Sequence, residues 1–296
     1  MKTKCVIMAV CATALMMSSM VSANVIISYG SSLGLFTDSG VKIRDYATNL
    51  SNPQGVVTDN AGNVYVADWG NGQVKMYNIA TGAFVRNVVD NAVYSPTGLA
   101  FDPANPGAII MIASYSSTNS QLGIWATGST NISGTVNSDL GAPYGSAYYF
   151  PGIAARGWAA GIYVASAGSV FQKYDPTTLV AIGGDLTVGG AGAITGTAAD
   201  LFLTGNATAV GGYIQRVSDS ALIASGLTGA PTGITNDGTN IWAALYGNGM
   251  VAQYNASTGV VMNYFTTTAA PVSIAYTTIP EPATLAILGL GWLLNR

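Results

Sequence analysis

Residues 53–78 read PQGVVTDNAGNVYVADWGNGQVKMYN, and the phrase returns along the chain. At residues 231–259, PTGITNDGTNIWAALYGNGMVAQYNASTG repeats it after a one-residue deletion following Asp237, so that Pro53, Gly55, Asp59, Asn63, Gly70, Asn71, Gly72, Tyr77 and Gly82 all recur. Pro96, Gly98 and Asp102 open a third copy, and Pro143 with Gly145 opens a fourth. Residues 192–203 align ungapped as a fifth, with Ala191 where Pro would stand, and Pro271 begins a sixth that stops after one strand. The starts lie 40 to 48 residues apart.

Periods of that length, built from short alternating strands and Gly/Asn/Asp turns, predict propeller blades of four strands each. Helical repeats of similar length are excluded by composition. VYVAD, VKMYN and IWAAL are β-branched and aromatic, and Gly or Asn-Gly interrupts every run before three helical turns could form. The truncated sixth copy cannot make a blade alone. NVIISYG (residues 24–30) reads like NVYVADWG, and GVKIRDYAT (residues 40–48) reads like a later strand of a blade. The expected fold is therefore an all-β, six-bladed β-propeller whose last blade is closed by strands from both ends of the chain, which also removes exposed edges.

The repeat resembles the NHL family, quoted as P-x-G-[IVL]-x-x-D followed by G-N-[IV]-Y-V-A-D and G-N-G-x-V. The match is close over residues 53–78, fair at Pro96 and Pro231, and weak between Tyr144 and Ala230. The resemblance implies the fold and carries no activity with it.

With 296 residues, 49% hydrophobic, 37 glycines and only 8% charged, the chain can bury a large core in one repeat-built domain. Its two cysteines, Cys5 and Cys11, precede that domain, which leaves the domain without disulfide or thiol chemistry. Lys2 and Lys4, the apolar run CVIMAVCATALMM and the small-x-small Val21-Ser-Ala23 form an export signal, with cleavage expected between Ala23 and Asn24. Removing Lys2 and Lys4 from the 10 basic residues leaves eight against 13 acidic ones. Scattered bases on an acidic chain exclude nucleic acid as a partner, because phosphate backbones need clustered Lys and Arg.

After the last strand come Pro280, Glu281 and Pro282, an apolar run to Leu294, and Arg296. The 12 apolar residues 283–294 reach about 18 Å as a helix, short of a ~30 Å hydrocarbon core. This order resembles the PEP-CTERM sorting signal of exopolysaccharide-producing Gram-negative bacteria. The resemblance implies an exosortase-like membrane enzyme as partner, transient membrane contact through a short C-terminal apolar helix, and a destination at the cell surface or extracellular matrix. The family ends in a cluster of basic residues, whereas here Arg296 stands alone. Three segments result: export signal 1–23, propeller 24–278 and sorting tail 279–296.

No histidine is present, and Glu281 is the only glutamate. The commonest general base and metal ligand are thus missing, and no EF-hand loop or Gly-rich phosphate cradle occurs. We expect no catalytic residues, no metal and no cofactor. Asp59, Asp102 and Asp237 read as turn residues that accept backbone N–H bonds. Aligning the second strand of each copy places Tyr29, Trp69, Tyr115 and Tyr246 at one position, at the entry to the loop before the third strand. Together with Asn71 and Asn248 these aromatics form a candidate face for stacking on sugar rings. The alternative is that each wedges between blades. The leading expectation is a non-enzymatic surface or matrix protein that binds a polysaccharide or a protein. Its rivals are a carbohydrate hydrolase or lyase using Asp pairs, with Asp68 the least turn-like acid, and a purely structural matrix protein.

Overall fold

The computed structural model describes residues 21–59, 61–90, 95–101, 108–116, 119–126, 136–137, 153–155, 162–166, 170–175, 180–183, 186–187, 191–196, 200–207, 211–228 and 231–280. The first strands are β1 (Val21–Tyr29), β2 (Ser32–Thr37) and β3 (Lys42–Ala47), followed by β4 (Pro53–Thr58), β5 (Asn63–Asp68), β6 (Gln73–Asn78) and β7 (Phe84–Asp90). Next come β8 (Ser95–Phe101), β9 (Ala108–Ser116), β10 (Asn119–Ala126) and β11 (Val136–Asn137), then β12 (Ile153–Ala155), β13 (Ile162–Ser166), β14 (Val170–Tyr174) and β15 (Leu186–Thr187). β16 (Ala191–Gly196), β17 (Leu201–Ala207), β18 (Gly211–Arg216) and β19 (Leu222–Leu227) precede β20 (Pro231–Asn236), β21 (Asn240–Leu245), β22 (Met250–Asn255), β23 (Val261–Thr266) and β24 (Pro271–Pro280).

Among the described residues these strands form six four-stranded sheets. Five are meanders in chain order, and the sixth has the order β24-β1-β2-β3, joining the last strand to the first three. The leading strands β4, β8, β12, β16, β20 and β24 pack each against the next, and β24 packs against β4. Second strands read apolar on both faces because both faces are covered by neighbouring sheets. In β1, Ile26 joins Val56, Val64 and Tyr77 of the following sheet, while Val25 and Ile27 join Trp242, Ala244 and Val251 of the preceding one.

The glycine of the P-x-G phrase has a steric cause. A Cβ on Gly55 would lie 2.5 Å from the Thr97 carbonyl oxygen, and one on Gly233 would lie 2.7 Å from Ser273 Cα. At Gly55 and Gly233 the next leading strand lies too close for a side chain. In the closing sheet Ser273 takes this position, and hydroxyls fasten the seam. The Val56 amide donates to Ser273 Oγ (3.2 Å), the Ser273 amide to Ser28 Oγ (3.1 Å), and Ser28 Oγ to the Gln54 carbonyl (3.0 Å).

Two boundaries differ from the sequence reading. The fourth leading strand is Ile153–Ala155, after Pro151-Gly152, whereas Pro143 to Gly145 lie outside the described residues. The phrase is too worn there for Pro and Gly alone to fix the register. β1 begins at Val21, before the expected cleavage at Ala23 and Asn24, and β24 runs to Pro280, because Val21, Ser22 and Ala23 pair with Pro280, Ile279 and Thr278. Glu281, Pro282, Arg296 and the expected C-terminal helix lie outside the described residues.

Candidate functional site: the turn face and its neighbouring groove

The chain leaves β5 through a 3-10 turn, Trp69–Asn71, and leaves β21 through its counterpart, Tyr246–Asn248. Each ends on a left-handed glycine, Gly72 at φ 64° and Gly249 at φ 62°, whose amide donates to the carbonyl of the aromatic residue. A Cβ is disfavoured at that φ, which is why the Gly-Asn-Gly phrase recurs. The turn throws the aromatic ring outward. Trp69 is 38% exposed, Tyr246 half-buried, and Asn71 and Asn248 exposed.

Beneath the first turn, Asp68 is fully buried and fully engaged. One oxygen accepts from the Ser51 amide (2.6 Å), and the other accepts from Asn71 Nδ2 (2.8 Å) and Lys75 Nζ (2.6 Å). Buried charge persists only when paired and hydrogen-bonded in this way. The carboxylate therefore ties the turn to the β3–β4 connection, where the Gly70 amide also donates to the Ser51 carbonyl (2.7 Å).

Lys75 in turn lines a groove of about 500 Å³ between the closing sheet and the β4–β7 sheet, shared with Tyr46, Ala47, Thr48, Asn49, Tyr77 and Phe84. Tyr77 packs edge-on to Phe84 (5.6 Å between ring centres) and tilted against Tyr46 (6.2 Å). Burial, with the field of Asp68 second, pushes the Tyr77 phenol up to about 12, so it stays neutral. The groove thus offers an exposed aromatic edge at Phe84 and polar groups at Thr48 and Asn49. The axial cavity, lined by residues such as Gly55, Gly98 and Gly233, holds about 60 Å³. That is room for about five waters and for no sugar ring.

Of the proposed aromatic face, Trp69 and Tyr246 stand on equivalent turns of two separate sheets. Tyr29 is removed from it. It is 4% exposed, packs edge-on to Phe36 and donates its hydroxyl to Asp45 Oδ1 (2.7 Å). The register explains this, since Tyr29 is the last residue of β1, whereas Trp69 and Tyr246 lie one step beyond their strands. The side chain of Tyr115 and the whole of Asp102 lie outside the described residues. Asp59 accepts from the Ala61 and Asn63 amides, and Asp237 from those of Thr239 and Asn240, as turn residues should. No cluster of three or more metal-ligating side chains occurs among the described residues. No signal in the sequence marks the groove residues Thr48, Asn49 and Phe84, because the groove exists only where two sheets meet.

The NHL repeat profile matches residues 50–77, the turn with its flanking strands. No curated protein matches in sequence. Among solved structures, a chain of the nidogen/laminin complex is similar with a TM-score of 0.64 at 12% identity, covering 86% of this chain and 98% of that one. A protein of unknown function from Bacteroides caccae is similar with a TM-score of 0.63 at 9% identity, over the same shares of the two chains. At such identities the likeness concerns the fold alone. The molecule is an all-β protein with the β-propeller fold, and it carries an NHL repeat.

Proposed function

We propose that this is a six-bladed, non-enzymatic propeller exported to the cell surface or extracellular matrix. There it binds an extracellular polysaccharide across the Trp69 turn and the adjoining groove. The observation that carries this reading is the continuity of the two features through Asp68. Asp68 accepts from Asn71 in the turn that carries the exposed Trp69 and from Lys75 in the wall of the groove, where exposed Phe84, Thr48 and Asn49 also lie, and sugars are held by such stacking surfaces with a few convergent hydrogen bonds. The structural engagement of Asp59, Asp68 and Asp237 supports binding over hydrolysis, which needs two free carboxylates about 5 to 9.5 Å apart. The export signal at 1–23, cut between Ala23 and Asn24, and the PEP-CTERM-like tail at 279–296, processed by an exosortase-like enzyme, supply the destination.

The test is co-sedimentation of the exported protein with the producing cell's own exopolysaccharide. Trp69→Ala and Phe84→Ala should each weaken binding about tenfold, the worth of one lost stacking contact, with thermal stability unchanged. Equal binding by the variants would sink the site, and no binding by the native chain would leave a protein partner or a structural role.

A further inference from the structure

β23 is the outermost strand of its sheet, hydrogen-bonded to β22 on one edge and, among the described residues, to no strand on the other. From Val260 to Thr268 the sequence VVMNYFTTT contains no charge, proline or glycine. Val260, Val261, Met262 and Tyr264 are 52 to 65% exposed. Soluble proteins blunt such edges with charges, prolines or bulges. Two other outer strands carry charges, Lys42, Arg44 and Asp45 in β3 and Arg86 and Asp90 in β7, whereas β19, like β23 at Met262, is uncharged and interrupted by register shifts.

The apolar surface continues to either side. Gly259 abuts Ile223, next to exposed Leu222, and Asn263 Nδ2 donates to the Asp38 carbonyl (2.5 Å), near exposed Val41 and Ile43. Phe265 stacks on Phe36 at 5.8 Å, fastening β23 to the closing sheet. The strand is therefore anchored to its neighbour and uncharged, with one bulge at Met262 and the Tyr264 amide held by Asn263 Oδ1 (2.8 Å).

We propose that β23 is the contact strand of a symmetric homodimer, pairing antiparallel with β23 of a second copy about Asn263. That register sets Val261 opposite Phe265 and Met262 opposite Tyr264, and apolar cross-strand pairs are the favourable kind. Charge selects a second copy as the occupant. The exported chain, with 13 acidic residues against the eight basic ones left once Lys2 and Lys4 are removed, repels itself wherever its surface is ionised, and residues 260–268 bring no ionic group to be desolvated. Area agrees with it. Seven half-exposed apolar side chains on three consecutive sheets present on the order of 600 Å², close to the ~800 Å² per partner of a stable interface. The contact is isologous, as a closed two-fold dimer requires.

The test is sedimentation velocity on the full exported chain from about 1 to about 100 µM, a span that brackets micromolar affinity, with hydrogen exchange at residues 260–266. The expected result is a dimer whose formation slows exchange in β23. Met262→Lys and Tyr264→Lys, both at exposed positions, should each weaken it at least tenfold while near-ultraviolet circular dichroism stays native. Three results would each overturn the proposal: a monomer throughout, association that survives both substitutions and so arises elsewhere on the chain, or protection of β23 only on lipid vesicles.

Discussion

Asp68 and Lys75 form a 2.6 Å ion pair in which the carboxylate is fully buried and the lysine side chain is 16% exposed. One member holds the turn that carries Trp69, and the other lines the groove. Removing one partner of such a pair leaves an uncompensated charge, which costs about 3 to 5 kcal/mol. Lys75→Met should therefore lower the melting temperature by roughly 6 to 20 °C at about 2 to 4 °C per kcal/mol for a domain of this size. Asp68→Ser installs the side chain that Ser28 already supplies at the aligned position, and in Asp68→Ser/Lys75→Met much of the loss should be recovered. A calorimetric double-mutant cycle checks the coupling, and strictly additive losses would contradict the pairing.

Two glycines separate close approach from backbone strain. Gly55→Ala would drive a Cβ to 2.5 Å from the Thr97 carbonyl and should cost about 1 to 3 kcal/mol through overpacking. Gly62→Ala has φ 84° and open space around it, so only left-handed strain of about 1 kcal/mol applies. Urea midpoints at constant m-value measure both.

The pH profile should be a plateau bounded by carboxylates and phenols, since the chain has no histidine. On the acid side, burial opposes ionisation of Asp237, but hydrogen bonds from the Asn240 amide and side chain and from the Thr239 amide outweigh it and hold it below its usual range. A depressed folded value means stability is present above the unfolded pKa and lost as pH falls through the folded one. On the alkaline side, the pKa of Tyr77 is raised to about 12, and burial raises those of Tyr29, Tyr46 and Tyr65 further. Raised values contribute stability that is present below about pH 10 and lost as pH rises through about 12. Melting temperatures should be level from about pH 5 to 9, and tyrosinate absorbance should rise together with unfolding rather than before it.

Cleavage after Ala23 would remove Val21, Ser22 and Ala23, the strand partners of Pro280, Ile279 and Thr278. A chain that keeps Val21 should therefore protect the amides of Thr278 and Ile279 from exchange, and a chain that starts at Asn24 should lose that protection without a change in global stability. Equal exchange in the two forms would show that this end of the ladder is not held by pairing.

The repeat made most of the architecture legible from local chemistry. Asp59 and Asp237 close hairpins wherever Asp precedes a tight turn, Gly72 and Gly249 mark left-handed caps, and residues 24–30 resemble a second strand strongly enough to foretell the composite sheet. Sequence could not rank the four aligned aromatics. Their exposure depends on a one-residue step between strand and turn that buries Tyr29 and turns Trp69 outward, and periodicity is blind to that step.

Outside the worn fourth copy, the sequence by itself determined the leading strands, their turns and the closure of the last sheet by the first, because these follow from alternation, glycine φ and a repeat that ends one strand after Pro271. Only the tertiary structure decided what lies at the seams. It set Gly55 against Thr97, brought Ser51 and Lys75 to Asp68, opened a groove between Tyr46 and Phe84, and left β23 without a neighbour on its outer edge among the described residues. The Gly55–Thr97 approach and the groove between Tyr46 and Phe84 are meetings of residues from different sheets, and distances between sheets are fixed by packing rather than by any one repeat.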